Sequence, residues 1–154
     1  MKIKKIILLT ILAITILISS CGDKYENSVI DINSLADSIM NGITFDDQLI
    51  QVSEENIKLT YNFGEYVNMI VYAGGGATAE EIILIECSDS ASADKIYMNV
   101  DTYYKNKKFY FKDYNPDETY KLDKPIFARI GKYVVYCVSP NTAEVQKILD
   151  ASIN

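Results

Sequence analysis

The chain contains no histidine among its 154 residues. This absence excludes Ser-His-Asp and Cys-His catalysis and most zinc sites, because each of these depends on an imidazole. Any catalysis would therefore have to use carboxylates, lysine or tyrosine. Proline and glycine are also scarce, at three and seven residues, and the recognisable ones have turn explanations. We find no motif in the sequence that predicts a catalytic residue, a metal site or a cofactor site. We therefore expect a protein that is not an enzyme.

Apolar runs are short in most of the chain, and the longest spans residues 6–18. Lys2, Lys4 and Lys5 precede it. A basic head followed by an apolar stretch of roughly 7–15 residues is typical of an export signal. A transmembrane helix is less favoured, because crossing the hydrocarbon core of a bilayer takes about 20 apolar residues.

The predicted signal ends in Leu17-Ile18-Ser19-Ser20-Cys21, which resembles the bacterial lipobox. In a lipobox the cysteine is acylated, with chains such as palmitate, and becomes the first residue of the exported protein. An ordinary signal peptide is less favoured, since no A-x-A-like cleavage site is present. We therefore predict a signal peptide at 1–20, a lipidated Cys21 with a tether at 21–30, and one domain at 31–154. The domain would lie on the extracytoplasmic face of the cell membrane.

The predicted exported part is strongly acidic. Removing the three lysines of the signal from the 15 basic residues leaves 12 against 21 acidic residues, a net charge of −9. Such a surface repels phosphate backbones and anionic lipid headgroups. We therefore expect no nucleic-acid partner, and we expect contact with the membrane to be made through the lipid anchor.

Only two cysteines remain once Cys21 is assigned to lipid. Cys87 and Cys137 both lie in apolar runs that predict strands. Cysteine in such a run usually behaves as a small buried hydrophobe. A disulfide is permitted outside the membrane, but it requires Cα atoms closer than about 7 Å. The sequence leaves their pairing open.

Hydrophobic periodicity predicts eight elements in the order ααββαββα. The first helix follows Asp31, with Gly42 expected as a left-handed C-cap. Two hairpins, each followed by a helix, predict an α+β fold in which about four helices pack on a roughly four-stranded antiparallel sheet. The other predicted elements are a helix opening at Ser53, strands at 66–73 and 81–87, a long helix opening at 89–92, strands at 126–130 and 133–138, and a helix after Asn141.

Three motifs could suggest ligand chemistry, and each has a structural explanation that we favour. Gly74-Gly75-Gly76 lacks the lysine and the following helix of a P-loop, so it predicts a hairpin connection. Asp46-Asp47 lacks the further ligands of a calcium loop, which favours turn chemistry. Residues 103–112 alternate aromatics with lysines, as suits a helix end that seals the edge of the core. The alternative for this last stretch is contact with an anionic envelope polymer or lipid headgroup.

Five segments carry a family resemblance. They are Asp31-Ile-Asn-Ser-Leu-Ala, Gly42-Ile-Thr-Phe-Asp-Asp-Gln-Leu, Gly76-Ala-Thr-Ala-Glu-Glu-Ile, Asp113-Tyr-Asn-Pro-Asp-Glu and Gly131-Lys-Tyr-Val-Val. In this order they resemble the bacterial lipoprotein family called domain of unknown function 4358, from about Asp31 to Leu149. The resemblance implies a small exported lipoprotein of the kind found in Firmicutes. It implies no activity and no catalytic residues.

Three classes of function are compatible with these observations. The favoured one is a non-catalytic envelope lipoprotein that binds a protein, peptide or glycan partner. The second is a carboxylate-based hydrolase of cell-wall glycan, for which Glu80, Glu81 and Glu86 are the candidate residues. The third is an accessory subunit of a membrane complex, which copurification in mild detergent would reveal. The sequence does not predict the oligomeric state.

Overall fold

The computed structural model of the protein describes residues 25–154. The predicted signal peptide and Cys21 lie outside these residues. No helix among the described residues has the length and apolar character needed to span a bilayer. The helices and strands are α1 (Ile32–Gly42), β1 (Ile50–Gln51), α2 (Glu54–Thr60), β2 (Asn68–Ala73), β3 (Glu81–Glu86), α3 (Ser90–Tyr114), β4 (Ile126–Ile130), β5 (Tyr133–Val138) and α4 (Thr142–Ser152), with 3-10 turns at Pro116–Glu118 and Lys121–Asp123.

The fold is α+β, as predicted, but the antiparallel sheet has five strands rather than about four. Its order is β1-β2-β3-β5-β4. The missed strand, β1, has only two residues, and it pairs Ile50 with Ala73 and Gln51 with Tyr72. A two-residue strand is too short to show a hydrophobic alternation. It forms because its backbone lies against the free edge of β2.

The helices cover both faces of the sheet, which explains why β3 is apolar at every position from Ile82 to Ile85. Side chains alternate between the faces. Ile82 and Leu84 pack with α1 and α4 in one core, whereas Ile83 and Ile85 pack with α2 and α3 in the other. All four side chains are completely buried.

Side-chain caps begin the helices as the sequence predicts. Asp31, Ser53, Asp89 and Asn141 each accept a hydrogen bond from a backbone N–H in the first turn that follows. The prediction for Gly42 was wrong, because this glycine is the last residue of α1 and its φ is not positive. A Cβ at position 42 would lie 2.9 Å from Ile148 Cδ1. Gly42 therefore allows α1 and α4 to pack closely.

The two cysteines are free and lie on opposite faces of the sheet. Cys137 belongs to the core under α1 and α4, and Cys87 belongs to the core under α2 and α3. Burial raises the pKa of the Cys87 thiol to about 11, helped by the nearby Asp89 and Glu86 carboxylates. Burial also raises the pKa of the Cys137 thiol. Both thiols therefore behave as small core hydrophobes.

The register of the strands defines two ends of the sheet. At one end Glu86 pairs with Tyr133, next to the Gly131 turn that joins β4 to β5. At the other end Glu81 pairs with Ala73 and with Val138, next to the loop at residues 74–80. We call these the Gly131 end and the Glu81 end. Gly131 has a φ of +54°, so the predicted turn does require a glycine-type conformation.

Candidate functional site

The main cleft of the described domain lies at the Glu81 end of the sheet. Its volume is about 560 Å³. The glycine loop forms one side and the second half of α3 forms the other. Its lining combines aromatic rings with a few polar groups, and comprises Tyr61, residues 73–76, Thr78, Glu80, Glu81, Tyr103, Asn106, Lys107, Tyr110, Phe111 and Tyr114.

Glu81 is the polar centre of the cleft, and only 2% of its surface is exposed. Its Oε1 accepts hydrogen bonds from the Tyr61 hydroxyl at 2.8 Å and the Tyr103 hydroxyl at 2.9 Å. Its Oε2 accepts from the Tyr103 hydroxyl at 3.0 Å and from Lys107 Nζ at 2.8 Å. Because a buried charge is costly unless it is paired and hydrogen-bonded, these donors hold the carboxylate in one orientation.

The two tyrosines stay protonated under all ordinary conditions. Burial raises the pKa of Tyr61 and of Tyr103, and the negative charge of Glu81 raises both further. Each hydroxyl is therefore a fixed hydrogen-bond donor to Glu81. The rings pack together as well, with centroids 5.8 Å apart, so the wall of the cleft is rigid as well as polar.

Exposed aromatic rings border the cleft on the α3 side. Tyr110 and Tyr114 stack with centroids 5.0 Å apart and an interplanar angle of 22°. They are 56% and 55% exposed. Buried Phe111 meets both rings edge-on, at 5.8 and 6.0 Å. The Tyr110–Tyr114 pair is thus an aromatic platform supported from below and open to solvent.

A second buried charge cluster fixes the base of the cleft. The Lys121 side chain is completely buried, and its Nζ contacts Asp46 at 2.6 Å, Glu118 at 3.0 Å and Glu80 at 3.2 Å. Burial disfavours the charged ammonium, but the hydrogen bonds that Lys121 donates to Asp46, Glu118 and Glu80 outweigh that effect and raise the pKa of Lys121. The cluster therefore ties together the segment before β1, the start of β3 and the 3-10 turns.

The glycine loop is held on both sides by side chains outside it. Asp47 Oδ2 accepts from the Gly75 N–H at 3.0 Å, and Glu118 Oε2 accepts from the Ala79 N–H at 2.9 Å. Asn115 donates through Nδ2 to the Ala77 carbonyl at 2.9 Å. The loop is therefore the hairpin connection that the sequence predicted, and side chains from outside it hold its shape.

Two buried hydroxyl oxygens at this end of the domain have no hydrogen-bond partner among the described residues. Thr78 Oγ1 belongs to the cleft lining. The Tyr136 hydroxyl lies in the core beneath, where burial and then the charge of Glu81 raise its pKa. Both oxygens have almost no accessible surface, so neither presents a hydrogen-bonding group to the open part of the cleft.

The structure brings together residues that the sequence singled out separately. Glu81 was a candidate carboxylate, and Tyr103 and Lys107 belong to the aromatic and cationic stretch at 103–112. Glu80 lines the same cleft but uses both its oxygens to accept from the Asp46 and Asp47 N–H groups, at 3.0 and 2.9 Å. Glu80 therefore caps two backbone N–H groups.

One residue that the sequence singled out lies outside the cleft, and two residues at this end of the sheet were not predicted from the sequence. Glu86 lies at the Gly131 end, where it pairs with Lys132 at 2.6 Å, so it does not belong to the cleft. Sequence reasoning missed Tyr61 and Lys121. Tyr61 follows α2 and offered no signal beyond a helix end, while nothing in the local pattern marks Lys121 as buried.

No described group of three or more acidic or cysteine side chains is arranged to hold a metal ion. Asp46, Glu80 and Glu118 do converge, but the Lys121 ammonium lies between them and supplies the positive charge. The aspartate pair therefore has the turn and pairing role that its sequence favours, since Asp47 also accepts from the Gln48 N–H at 2.8 Å.

Comparison with known proteins identifies the family. The family model for a domain of unknown function, DUF4358, matches residues 45–139, which is more than half of the chain. The chain belongs to this family. The matched range contains the whole sheet and the complete lining of the cleft, but leaves out α1 and α4. No curated protein and no solved structure is significantly similar to the chain.

Proposed function

We propose that the protein is an extracytoplasmic lipoprotein, acylated at Cys21, whose domain binds a neutral glycan of the cell envelope in the Glu81 cleft without cleaving it. One observation carries the choice of site. A carboxylate with 2% exposure is held by two tyrosine hydroxyls and a lysine at the bottom of an aromatic-lined cleft. Apolar walls with a few fixed polar groups are typical of small-molecule and oligomer binding sites.

The aromatic platform favours a sugar. A pyranose ring has an apolar C–H face and a rim of hydroxyl groups, so it suits a site with one aromatic side and several polar groups. Tyr110 and Tyr114 provide the aromatic side. Asn106 is exposed in the lining, so its side-chain amide can bond to sugar hydroxyls.

The charge pattern disfavours an anionic ligand. Lys105, Lys107 and Lys108, three of the four lysines in 103–112, pair with Asp101, Glu81 and Asp123 at 2.6, 2.8 and 2.9 Å. The stretch therefore presents little uncompensated positive charge, and the protein as a whole is acidic. A cationic ligand would have to compete with the internal ammonium of Lys107 for Glu81. A neutral polyhydroxylated ligand requires no free positive charge and does not have to displace Lys107 from Glu81.

The hydrolase alternative has one observation in its favour, which is that Glu80 and Glu81 line the same cleft. Glycan hydrolysis requires one carboxyl group to donate a proton and the other to act as base or nucleophile. Here both oxygens of each glutamate already accept hydrogen bonds from N–H, O–H or ammonium donors. Neither glutamate therefore has an oxygen without a protein donor to place against a glycosidic bond, so the arrangement favours binding over cleavage.

Titration calorimetry with soluble β-1,4-linked N-acetylhexosamine oligomers tests this proposal. We expect saturable binding that weakens about two- to twelvefold in Tyr110→Ala, as expected for loss of one aromatic contact. Tyr120→Ala is the matched control, because Tyr120 is 57% exposed but does not line the cleft. Absence of binding, or equal losses in both variants, would refute the glycan assignment. Release of new reducing ends would favour the hydrolase instead.

Mass spectrometry of the protein extracted from native membranes tests the anchor independently. We expect acyl chains on Cys21 and no residue before it. Two or more chains would hold the protein stably at the bilayer, whereas one chain binds only marginally. An unmodified thiol at position 21 would remove the proposed location while leaving the glycan-binding assay unaffected.

A further inference from the structure

We propose that the glycan-binding cleft lies at the end of the domain farthest from the membrane, so that it takes its ligand from the wall side and not from the lipid surface. This inference rests on the proposed anchor at Cys21. It goes beyond the proposed function because it assigns the orientation of the domain and the direction from which the ligand approaches.

Residues 25 and 26, which belong to the predicted tether, already contact the body of the domain. Glu26 accepts a hydrogen bond from Ser90 Oγ at 2.7 Å, and Ser90 is the first residue of α3. A Glu26 oxygen also lies 4.0 Å from the Arg129 guanidinium, in β4 beside the Gly131 turn. The Tyr25 backbone passes so close to Gly131 that a Cβ there would lie 2.8 Å from its carbonyl oxygen. Residues 25 and 26 are therefore fixed at the Gly131 end.

The following residues stay attached to the body of the domain. Val29 and Asn154 exchange two backbone hydrogen bonds, at 3.1 and 3.3 Å. The fixed point is thus supported by three separate sets of contacts, with α3, with the β4–β5 turn and with the segment after α4. The domain cannot rotate freely about residues 25–29 without breaking them.

The cleft lies far from this fixed point along α3. The long helix α3 has 25 residues and begins where Glu26 contacts it. At about 1.5 Å per residue, Tyr110 lies about 30 Å along the helix from Ser90. The direction of the helix is confirmed at both ends, because Asp94 pairs with Arg129 at 2.8 Å and Lys107 pairs with Glu81 at 2.8 Å.

Only a short length of chain connects this fixed point to the proposed lipid. Cys21 precedes Glu26 by five residues, and five residues extend at most about 18 Å. This reach is shorter than the distance of about 30 Å to the aromatic platform. An anchor at Cys21 therefore holds the Gly131 end within about 18 Å of the bilayer. The Tyr110–Tyr114 platform lies farther along α3 than this reach, and in the proposed orientation it is turned away from the lipid.

Two labels on the same helix test the orientation. Ala91 and Asp113 are both exposed and lie 22 residues apart, or about 33 Å along α3. Ala91→Cys and Asp113→Cys can be made in the full chain, purified from membranes with its lipid, labelled with a nitroxide and reconstituted in vesicles. The native Cys87 and Cys137 are buried and should not react with the label.

Vesicles that carry Ni²⁺ chelated to lipid headgroups then report which label is near the membrane. We expect severalfold stronger spectral broadening for the label at position 91 than for the label at position 113. Equal broadening, or stronger broadening at position 113, would overturn the proposed orientation. A version of each variant that begins at Gly22 should show no broadening, because it lacks both the lipid and the apolar leader. If the lipidated form also fails to bind vesicles, the anchor itself is refuted, and this outcome is distinct from a wrong orientation.

Discussion

Replacing Lys121 with methionine should destabilise the domain more than replacement of any exposed lysine. The ammonium is buried and contacts three carboxylates, one of which, Glu80, is itself completely buried. Methionine has a similar length but no charge, so Glu80 would keep only the two backbone N–H donors of Asp46 and Asp47. Breaking a buried ion pair by removing one partner costs about 3–5 kcal/mol. A domain of this size has a total stability of about 5–15 kcal/mol, so the loss should be plain in a urea titration.

Lys147→Met is the matched control for this prediction. Lys147 pairs with Glu144 at 2.8 Å, but its side chain is 73% exposed. Exposed pairs contribute about 0–1 kcal/mol, so this variant should unfold almost like the parent. In the double variant Lys121→Met with Glu80→Gln, the buried carboxylate is gone, and we expect part of the lost stability to return. A loss below about 1 kcal/mol in Lys121→Met would contradict the role assigned to the cluster.

The stability difference between the parent and Lys121→Met should depend on pH in the alkaline range. The pKa of Lys121 is raised in the folded protein. A lysine whose pKa is raised on folding stabilises the fold at every pH at which it is charged in both the folded and the unfolded protein. That stabilisation is lost as the pH rises through the pKa of the folded protein. The difference in unfolding free energy between the parent and Lys121→Met should therefore stay constant from neutral pH to about pH 10, and shrink only at higher pH. A difference that already declines between pH 7 and 9 would show that another group is responsible.

Three further predictions concern the backbone and the thiols. Gly131→Ala should lower the free energy of unfolding by about 1–3 kcal/mol, because φ is +54° there and a Cβ would meet the tether backbone. Gly75 has open space around it, so Gly75→Ala should be nearly neutral in thermal melts. Asp89→Ala should lower the free energy of unfolding by about 1 kcal/mol, because it removes the 2.7 Å cap of the longest helix. Cys87 and Cys137 should resist iodoacetamide at pH 8 in the folded protein and both react in urea, and fast labelling of the folded form would show that the cores open readily.

Most of the fold follows from local pattern. Strands β4 and β5 have the predicted bounds, and the caps at Asp31 and Asn141 begin helices where the hydrophobic period starts. These features need only neighbours in sequence, and so a single chain reveals them. The two wrong predictions, for β1 and for Gly42, concern features that depend on residues distant in sequence. The strand β1 depends on the edge of β2, and Gly42 is required by a contact with Ile148, which is far away in the chain.

In the candidate site, too, the sequence indicated individual residues, but only the tertiary structure showed which of them lie together. The sequence marked Glu80, Glu81 and the stretch 103–112 as chemically notable, but gave no reason to place them together. They meet because Glu81 begins β3 at the sheet end where the second half of α3 crosses it. Tyr61 joins them from α2 without any local signal.

By itself, the sequence determined the class of fold, most element boundaries, the acidic character of the domain and the absence of imidazole chemistry. These properties depend on residue type and on periods of two or 3.6 residues. Only the tertiary structure decided that Lys121 is buried among three carboxylates, that Cys87 and Cys137 lie on opposite faces, and that residue 26 lies at the opposite end from the cleft. Such facts depend on residues far apart in the chain, and only the packing of helices on a sheet brings those positions into contact or keeps them apart.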